Sequence, residues 1–147
     1  MTATAHALVG GAIAASVKDP ALGLSLSALS HPLMDLIPHW DFALNWRSKS
    51  KVKLFLEAVV DLGGGTLLSY LLFGRFIDIR YFLAAVLLSE VWDIAEAPHW
   101  FLKKSFPPFS WIYAVQSRFH SRAKLPLGGI TQALTVLFIL LLIKFLT

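Results

Sequence analysis

Long apolar stretches dominate the pattern of hydrophobic and polar positions along this chain. Three of them, at residues 52–74, 81–100 and 127–146, are long enough to cross a bilayer, which takes about 20 residues of α-helix. A helix satisfies its own backbone hydrogen bonds in lipid, so each stretch predicts one transmembrane helix.

Two further apolar segments precede these spans. Residues 5–17 are short for a span, whereas residues 21–40 are long enough, and the sequence Lys18-Asp19-Pro20 between them is typical of a turn. We expect a helical hairpin over residues 5–40, with its first arm short or only partly inserted. Pro32 and Pro38 are expected to bend or end the second arm. The predicted fold is therefore all-α: a polytopic helical membrane protein in which one domain, residues 1–147, joins this hairpin to three transmembrane helices.

The composition favours the same class. Hydrophobic residues make up 56% of the chain and charged residues 15%, against roughly 45–50% and 25% in soluble domains. The sequence contains no cysteine, so disulfides and thiolate ligands are excluded and any metal must be held by His, Asp or Glu. The modest net charge of +4 suits the headgroups of a lipid bilayer and not nucleic acid.

Basic residues lie in two segments that flank the spans, residues 41–53 and 101–126. Two predicted spans separate these segments, so both emerge on the same side of the membrane. The positive-inside rule assigns that side to the cytoplasm.

Ionisable side chains collect in the cytoplasmic half of this topology. All five histidines and every acid except Asp19 and Asp78 fall there. Charges at membrane depth are costly unless they pair, face water or bind an ion. In the stretch "SHPLMDLIPHWD", His31, Asp35 and His39 are spaced at i, i+4 and i+8, which places them on one face of a helix. Two or three histidines with two or three carboxylates can hold one or two divalent cations, such as zinc, manganese or iron.

The motifs also carry a family resemblance. "TATAHALVGGAIA" followed by "LSHPLMDLIPHWD" resembles the start of the YdjM-like family of small bacterial inner-membrane proteins, a family assigned to the metal-dependent hydrolases. The later "DLGGG", "WDIAEAPHW" and "FHSR" fall where that family places an Asp, another Asp near a Pro, and a His. The resemblance implies a bacterial inner-membrane location and six metal ligands: His6, His31, Asp35, Asp61, Asp93 and His120.

Together these features predict a membrane-embedded hydrolase that acts on an ester or phosphoester of a lipid or other amphiphile. A metal-bound hydroxide, most readily on zinc, would be the nucleophile. Glu57, Glu90 or His39 is expected to act as general base or acid, and the basic segments are expected to hold an anionic headgroup.

Other interpretations stay open at this stage. The same residues would serve a transporter for metal ions or protons, or a non-enzymatic membrane protein with a structural metal site. His31, Asp35 and His39 could instead be solvated at an interfacial helix end, and Glu57 could pair with Lys53. The absence of a Gly-x-Ser-x-Gly or His-Glu-x-x-His motif disfavours a serine hydrolase and a zincin.

Overall fold

The computed structural model describes residues 1–146, with side chains through residue 145. This part of the chain forms seven α-helices and no strand, which confirms the predicted all-α class. The helices are α1 (Ala3–Ser16), α2 (Pro20–Asp35), α3 (Lys51–Leu72), α4 (Ile79–Ser89), α5 (Val91–Leu102), α6 (Phe109–Phe119) and α7 (Leu127–Leu146).

Helix α1 is the centre of the packing. It contacts α2, α3, α4 and α7, and nine of its 14 residues are buried. A helix that is apolar on all sides has no face suited to water, so burial among other helices is its stable position. The segment expected to be a short or partly inserted arm is therefore the core helix of the fold.

Close helix packing at α1 depends on residues without a side chain. A Cβ atom added at Gly65 of α3 would lie 2.5 Å from the Cα atom of Thr4, so only glycine permits this approach of the two helices. On the opposite side, a Cβ at Gly10 would lie 2.8 Å from Ser89 Oγ. The neighbouring Gly64 has open space around it.

Two predicted segments are wrong, 81–100 and 101–126, whereas the second hairpin arm ends ahead of Pro38, which is one of the expected outcomes. The span expected over residues 81–100 is divided into α4 and α5 at Glu90, whose backbone leaves helical geometry (φ −107°, ψ 1°). At this break the Ser89 carbonyl accepts a hydrogen bond from His31 Nδ1. The second hairpin arm ends at Asp35, before Pro38, while Pro32 is accommodated inside α2. The basic segment 101–126, expected to be a loop, contains α6.

Two helices of the described chain are long and apolar enough to cross a membrane: Lys51–Leu72 and Leu127–Phe145. Most residues of both helices are not buried within the protein. Ala3–Ser16 and Ile79–Ser89 are apolar but shorter.

Candidate metal centre

The Asp35 carboxylate is the centre of a cluster of imidazoles. It ends α2, one turn after His31 on the same helix, while His6 comes from α1, His39 from the segment after α2, and His120 from the residue that follows α6. The nitrogen–oxygen distances to Asp35 are 3.2 Å from His6 Nε2, 3.5 Å from His31 Nε2, 3.7 Å from His39 Nε2 and 3.2 Å from His120 Nδ1. The Met1 ammonium also contacts Asp35 Oδ1.

Hydrogen bonds to the backbone fix the orientation of two of these rings. His31 Nδ1 lies 2.6 Å from the Ser89 carbonyl oxygen and His39 Nδ1 lies 2.7 Å from that of Ile37. A carbonyl oxygen only accepts, so both Nδ1 atoms are donors and carry hydrogen. In the neutral rings the Nε2 atoms therefore present lone pairs toward Asp35, and this is the tautomer in which Nε2 binds a metal.

Two imidazole nitrogens near Asp35 also lie in direct contact with each other. His39 Nε2 and His120 Nε2 are 2.8 Å apart, and His120 Nε2 is 2.8 Å from Asp41 Oδ2. Nitrogen lone pairs at this distance repel each other unless a proton or a metal cation lies between them.

His6 is fully buried and neither of its ring nitrogens has a hydrogen-bond partner. Its ring stacks on His31 with centroids 3.8 Å apart. Asp35 Oδ2 also makes no hydrogen bond, although His120 Nδ1 lies 3.2 Å from it. Buried polar groups are normally paired, so atoms that lie this close without a hydrogen bond fit a cation that is held between them.

Within residues 1–146, three overlapping groups have ligand atoms within 4.8 Å of one another. The first is His6, His31 and Asp35, the second is Asp35, His39 and His120, and the third is His31, Glu90 and Asp93. Because Asp35 belongs to the first two groups, its two oxygens could bridge a pair of ions. The donor set of imidazole and carboxylate suits zinc and similar divalent metals.

Asp41 and Arg122 extend the cluster toward the surface. Burial alone would raise the pKa of Asp41, but His120, His39 and the Arg122 guanidinium hold it well below its usual range. Burial would lower the pKa of His120, but the nearby carboxylates of Asp35 and Asp41 outweigh that effect and raise it. The metal-free cluster therefore favours a proton on His120.

Gln116 was not among the sequence candidates. Its Nε2 donates to Asp93 Oδ1 at 2.8 Å and lies 3.4 Å from His31 Nε2. It precedes His120 by four residues, a spacing that puts two side chains on the same side of a helical segment. This spacing from His120 is the sequence feature that could have identified Gln116 as part of the site. Asp41 was noted in the ionisable stretch but was not proposed as a ligand.

Asp61 lies apart from these groups. Its carboxylate accepts hydrogen bonds from the backbone amides of Ala3 and Thr4 and from the Thr4 hydroxyl. These amides belong to the first turn of α1, where no helical carbonyl is available to accept from them. Among the described residues, Asp61 is in none of the three groups that could hold a metal, and its geometry is that of a helix cap.

The general acid–base candidates have different surroundings. Glu57 pairs with Lys49 at 2.7 Å, not with Lys53. Glu90 is buried next to His31 and Asp93, and its Oε1 has no hydrogen-bond partner. His39 lies among the ligand candidates. Glu96 and His99 are buried outside the three groups, with His99 stacked on Tyr113.

A cavity of about 290 Å³ adjoins the cluster. Asp41, Glu90, Asp93 and His120 line its polar part. Its remaining walls come mainly from apolar side chains of α3 and α5, among them Leu54, Phe55, Val59, Leu62, Ile94, Ala97 and Phe101. The cavity therefore connects the candidate ligands to an apolar space.

No protein-family model matches this sequence, and neither a curated protein nor a solved structure gives a match. The function must therefore be inferred from the geometry of the cluster and its cavity.

Proposed function

We propose that this chain is a multi-pass protein of the bacterial inner membrane that hydrolyses an ester or phosphoester of a lipid or other amphiphile with the help of bound divalent metal. Asp35 would bridge two ions. His6 and His31 would complete the first site, and His39 and His120 the second.

One observation carries the proposal. His31 and His39 each donate Nδ1–H to a backbone carbonyl, which leaves both Nε2 lone pairs facing the same carboxylate. Such backbone partners fix the tautomer and the ring orientation of metal-binding histidines. Zinc is the expected metal because the donors are imidazole and carboxylate and thiolates are absent.

The residues around the cluster would have separate roles in hydrolysis. A divalent metal lowers the pKa of a coordinated water to about 7. Glu90, buried at the cavity wall with a free Oε1, would accept the proton that the attacking water loses. Gln116 would hold Asp93 in place through its 2.8 Å hydrogen bond. Glu57 would remain paired with Lys49 at the cavity wall.

The membrane arrangement follows from charge and hydropathy. Helices α3 and α7 would cross the bilayer. Helices α4 and α5 would together form the crossing between them, over the span expected at residues 81–100. The basic segments 41–53 and 101–126 would lie on the cytoplasmic side, where Arg122 and its neighbours would attract an anionic headgroup. The reacting end of the cavity would thus open toward the cytoplasmic leaflet.

The direct test is metal content. Purified protein in detergent would be analysed by elemental mass spectrometry beside His31→Gln, with His99→Gln as the matched control, since His99 is buried but lies outside the three groups. We expect two zinc ions per chain in the wild type and in His99→Gln, with a loss in His31→Gln. Equal metal content in both variants, or none in a wild type given added metal, would refute the proposal.

Deep burial favours a second candidate function for part of the cluster. His6, His31 and Asp35 are almost completely buried, as expected of a structural metal that is closed to water. His120 and Asp93, in contrast, line the cavity. If both ions are structural, a chelator will remove metal only as the protein unfolds, and no lipid ester or phosphoester will be hydrolysed.

A further inference from the structure

The cavity beside the cluster has two chemically different ends. Its polar end is formed by side chains of the candidate metal centre and its immediate neighbours, including Asp41, Asp93 and His120. Most of the remaining wall is apolar and comes from α3 and α5, with Leu54, Leu62 and Ala97 among its residues, while Glu57 and Asp61 are the acidic residues of α3 that also line it. A ligand that fills this space must itself be polar at one end and apolar along the rest of its length.

The apolar part opens to the side, between α3 and α5. Phe55 and Val59 of α3 and Ile94 of α5 line the cavity, yet their side chains are 56%, 49% and 47% exposed. Helix α3 is one of the two helices long enough to cross a membrane. Its exposed apolar surface continues past the opening through Leu56 and Val60, so the opening faces the region where lipid chains would lie.

The size of the cavity limits what can enter. A volume of about 290 Å³ is at the lower end of the roughly 300–1,000 Å³ found for small-molecule sites. One hydrocarbon chain therefore fits this space better than both chains of a phospholipid. Contact with hydrocarbon stabilises an apolar cavity wall, whereas contact with a polar ligand does not.

We infer that the cavity binds one acyl chain of a bilayer phospholipid, which enters sideways between α3 and α5 and places its ester group next to the metal cluster. This inference rests on the proposed function for the identity of the reacting end. It narrows the substrate class to an acyl ester or phosphoester of a membrane lipid.

Leu54 offers a specific reporter for a chain inside the cavity. It lines the cavity but is only 7% exposed at the protein surface, so bulk lipid does not reach it. The test uses protein reconstituted in phosphatidylethanolamine vesicles that contain phosphatidylglycerol with a diazirine near the end of one acyl chain. After illumination, mass spectrometry maps the labelled residues, and labelling of Leu54 is divided by labelling of Val60, which is 69% exposed.

Two variants fill the cavity from opposite walls. Ala58→Phe on α3 and Ala97→Phe on α5 both add bulk at lining positions. The control is Leu56→Phe, at a residue of α3 that is 55% exposed and is not among the lining residues. We expect both filling variants to lower the Leu54-to-Val60 ratio at least fivefold and the control to leave it unchanged. An unlabelled Leu54 in the wild type, or a ratio that neither filling variant lowers, overturns the inference.

Metal content measured in the same samples separates this inference from the proposed function. Labelled Leu54 in protein that binds no metal supports the acyl-chain site while the hydrolase proposal fails. Bound zinc with no labelling of Leu54 overturns the acyl-chain site and leaves the metal centre standing. Both filling variants should retain the wild-type metal content, since neither alanine belongs to a ligand group.

Discussion

His39 Nε2 and His120 Nε2 lie 2.8 Å apart, although 81 positions separate the two residues in the sequence. Both rings also approach the Asp35 carboxylate. A proton or a metal cation between the two nitrogens would account for this contact. The second pair, His6 and His31, approaches the same carboxylate, with His6 nearest Oδ1 and His31 nearest Oδ2.

If two ions share Asp35, each variant of a ligand should lose a defined number of ions. Asp35→Asn should remove both ions, because the bridging carboxylate belongs to both groups. His6→Gln and His120→Gln should each remove one ion, since each histidine belongs to a single one of the two groups that share Asp35. Elemental analysis of the purified variants checks these numbers. Complete loss of metal in either histidine variant would indicate a single ion.

The metal-free protein should lose stability as the pH rises. Contacts with Asp35 and Asp41 raise the pKa of His120 above 6.5 in the folded state. The protonated ring therefore stabilises the fold fully below about pH 6.5, and this contribution disappears as pH rises through the raised pKa. His39 and Arg122 also face this network. We expect the melting temperature of chelator-treated protein to fall from pH 6.5 upward, and His120→Gln to weaken that dependence.

Added zinc should reverse the trend. Zinc binding displaces protons from imidazole ligands, so metal affinity increases with pH. Thermal unfolding with saturating zinc should show the largest stabilisation at the alkaline end of the range. A zinc effect that is the same at pH 6 and pH 8 would argue against ligation by these histidines.

Gln116 is predicted to support the cluster through Asp93. Gln116→Leu removes the 2.8 Å hydrogen bond to Asp93 and the amide beside His31. Loss of such a supporting partner typically lowers metal affinity about 10–100-fold. Competition with a fluorescent zinc chelator measures this change. Ser117→Ala is the control, because Ser117 is exposed and bonds only to a backbone carbonyl of its own helix; the two variants should differ at least tenfold.

Asp61→Ala distinguishes a helix cap from a ligand. Loss of the bonds to Ala3 and Thr4 should destabilise the protein by about 0.5–2 kcal/mol, the usual effect of removing a cap. Metal content should be unchanged, because Asp61 lies outside the three groups. Unfolding by denaturant measures the change in stability, and elemental analysis of the same sample measures the metal content. Loss of zinc with unaltered stability would restore Asp61 as a ligand.

Two adjacent glycines should respond in opposite ways to alanine. Gly65→Ala places a methyl group 2.5 Å from Thr4 Cα, and such overpacking typically costs about 1–3 kcal/mol. Gly64→Ala meets open space and should stabilise α3 by up to about 1 kcal/mol through its higher helix propensity. Melting temperatures of the two variants test this difference, and a shift in the same direction for both would contradict the packing at Thr4.

Hydropathy predicted the long helices well but could not reveal the break at Glu90. The sequence from Tyr81 to Trp100 is largely apolar, although its second half contains Glu90, Asp93 and Glu96, and intrinsic propensity gives no reason for an interruption at Glu90. The bond between His31 and the Ser89 carbonyl at the break is a tertiary contact. Amphipathic spacing likewise did not reveal α6, since its basic flanks are equally typical of a loop.

Residue type and depth indicated where ionisable side chains converge, and the family resemblance implied which of them are ligands. The spacing of His31 and Asp35 placed them on one face of α2, but His39 lies beyond the end of that helix and approaches Asp35 from the segment paired with Arg122. The structure brings His6, His120 and Asp93 to the same region. The role of Asp61 could not be predicted, because it depends on where α1 begins relative to α3. Whether metal binds and whether the chain is an enzyme are still predictions.

The short backbone pairing between residues 39 and 122 has a consequence for biosynthesis. Ala123 donates to the His39 carbonyl and His39 to that of Ser121, so the second candidate site is complete only when residue 123 has been translated and has folded back. A ribosome-bound chain that ends before residue 120 would carry His6, His31 and Asp35 but would lack His120, the last ligand of the second candidate site. Metal loading of the second site would then be a late event in biogenesis, and it would mark chains whose helices have already assembled.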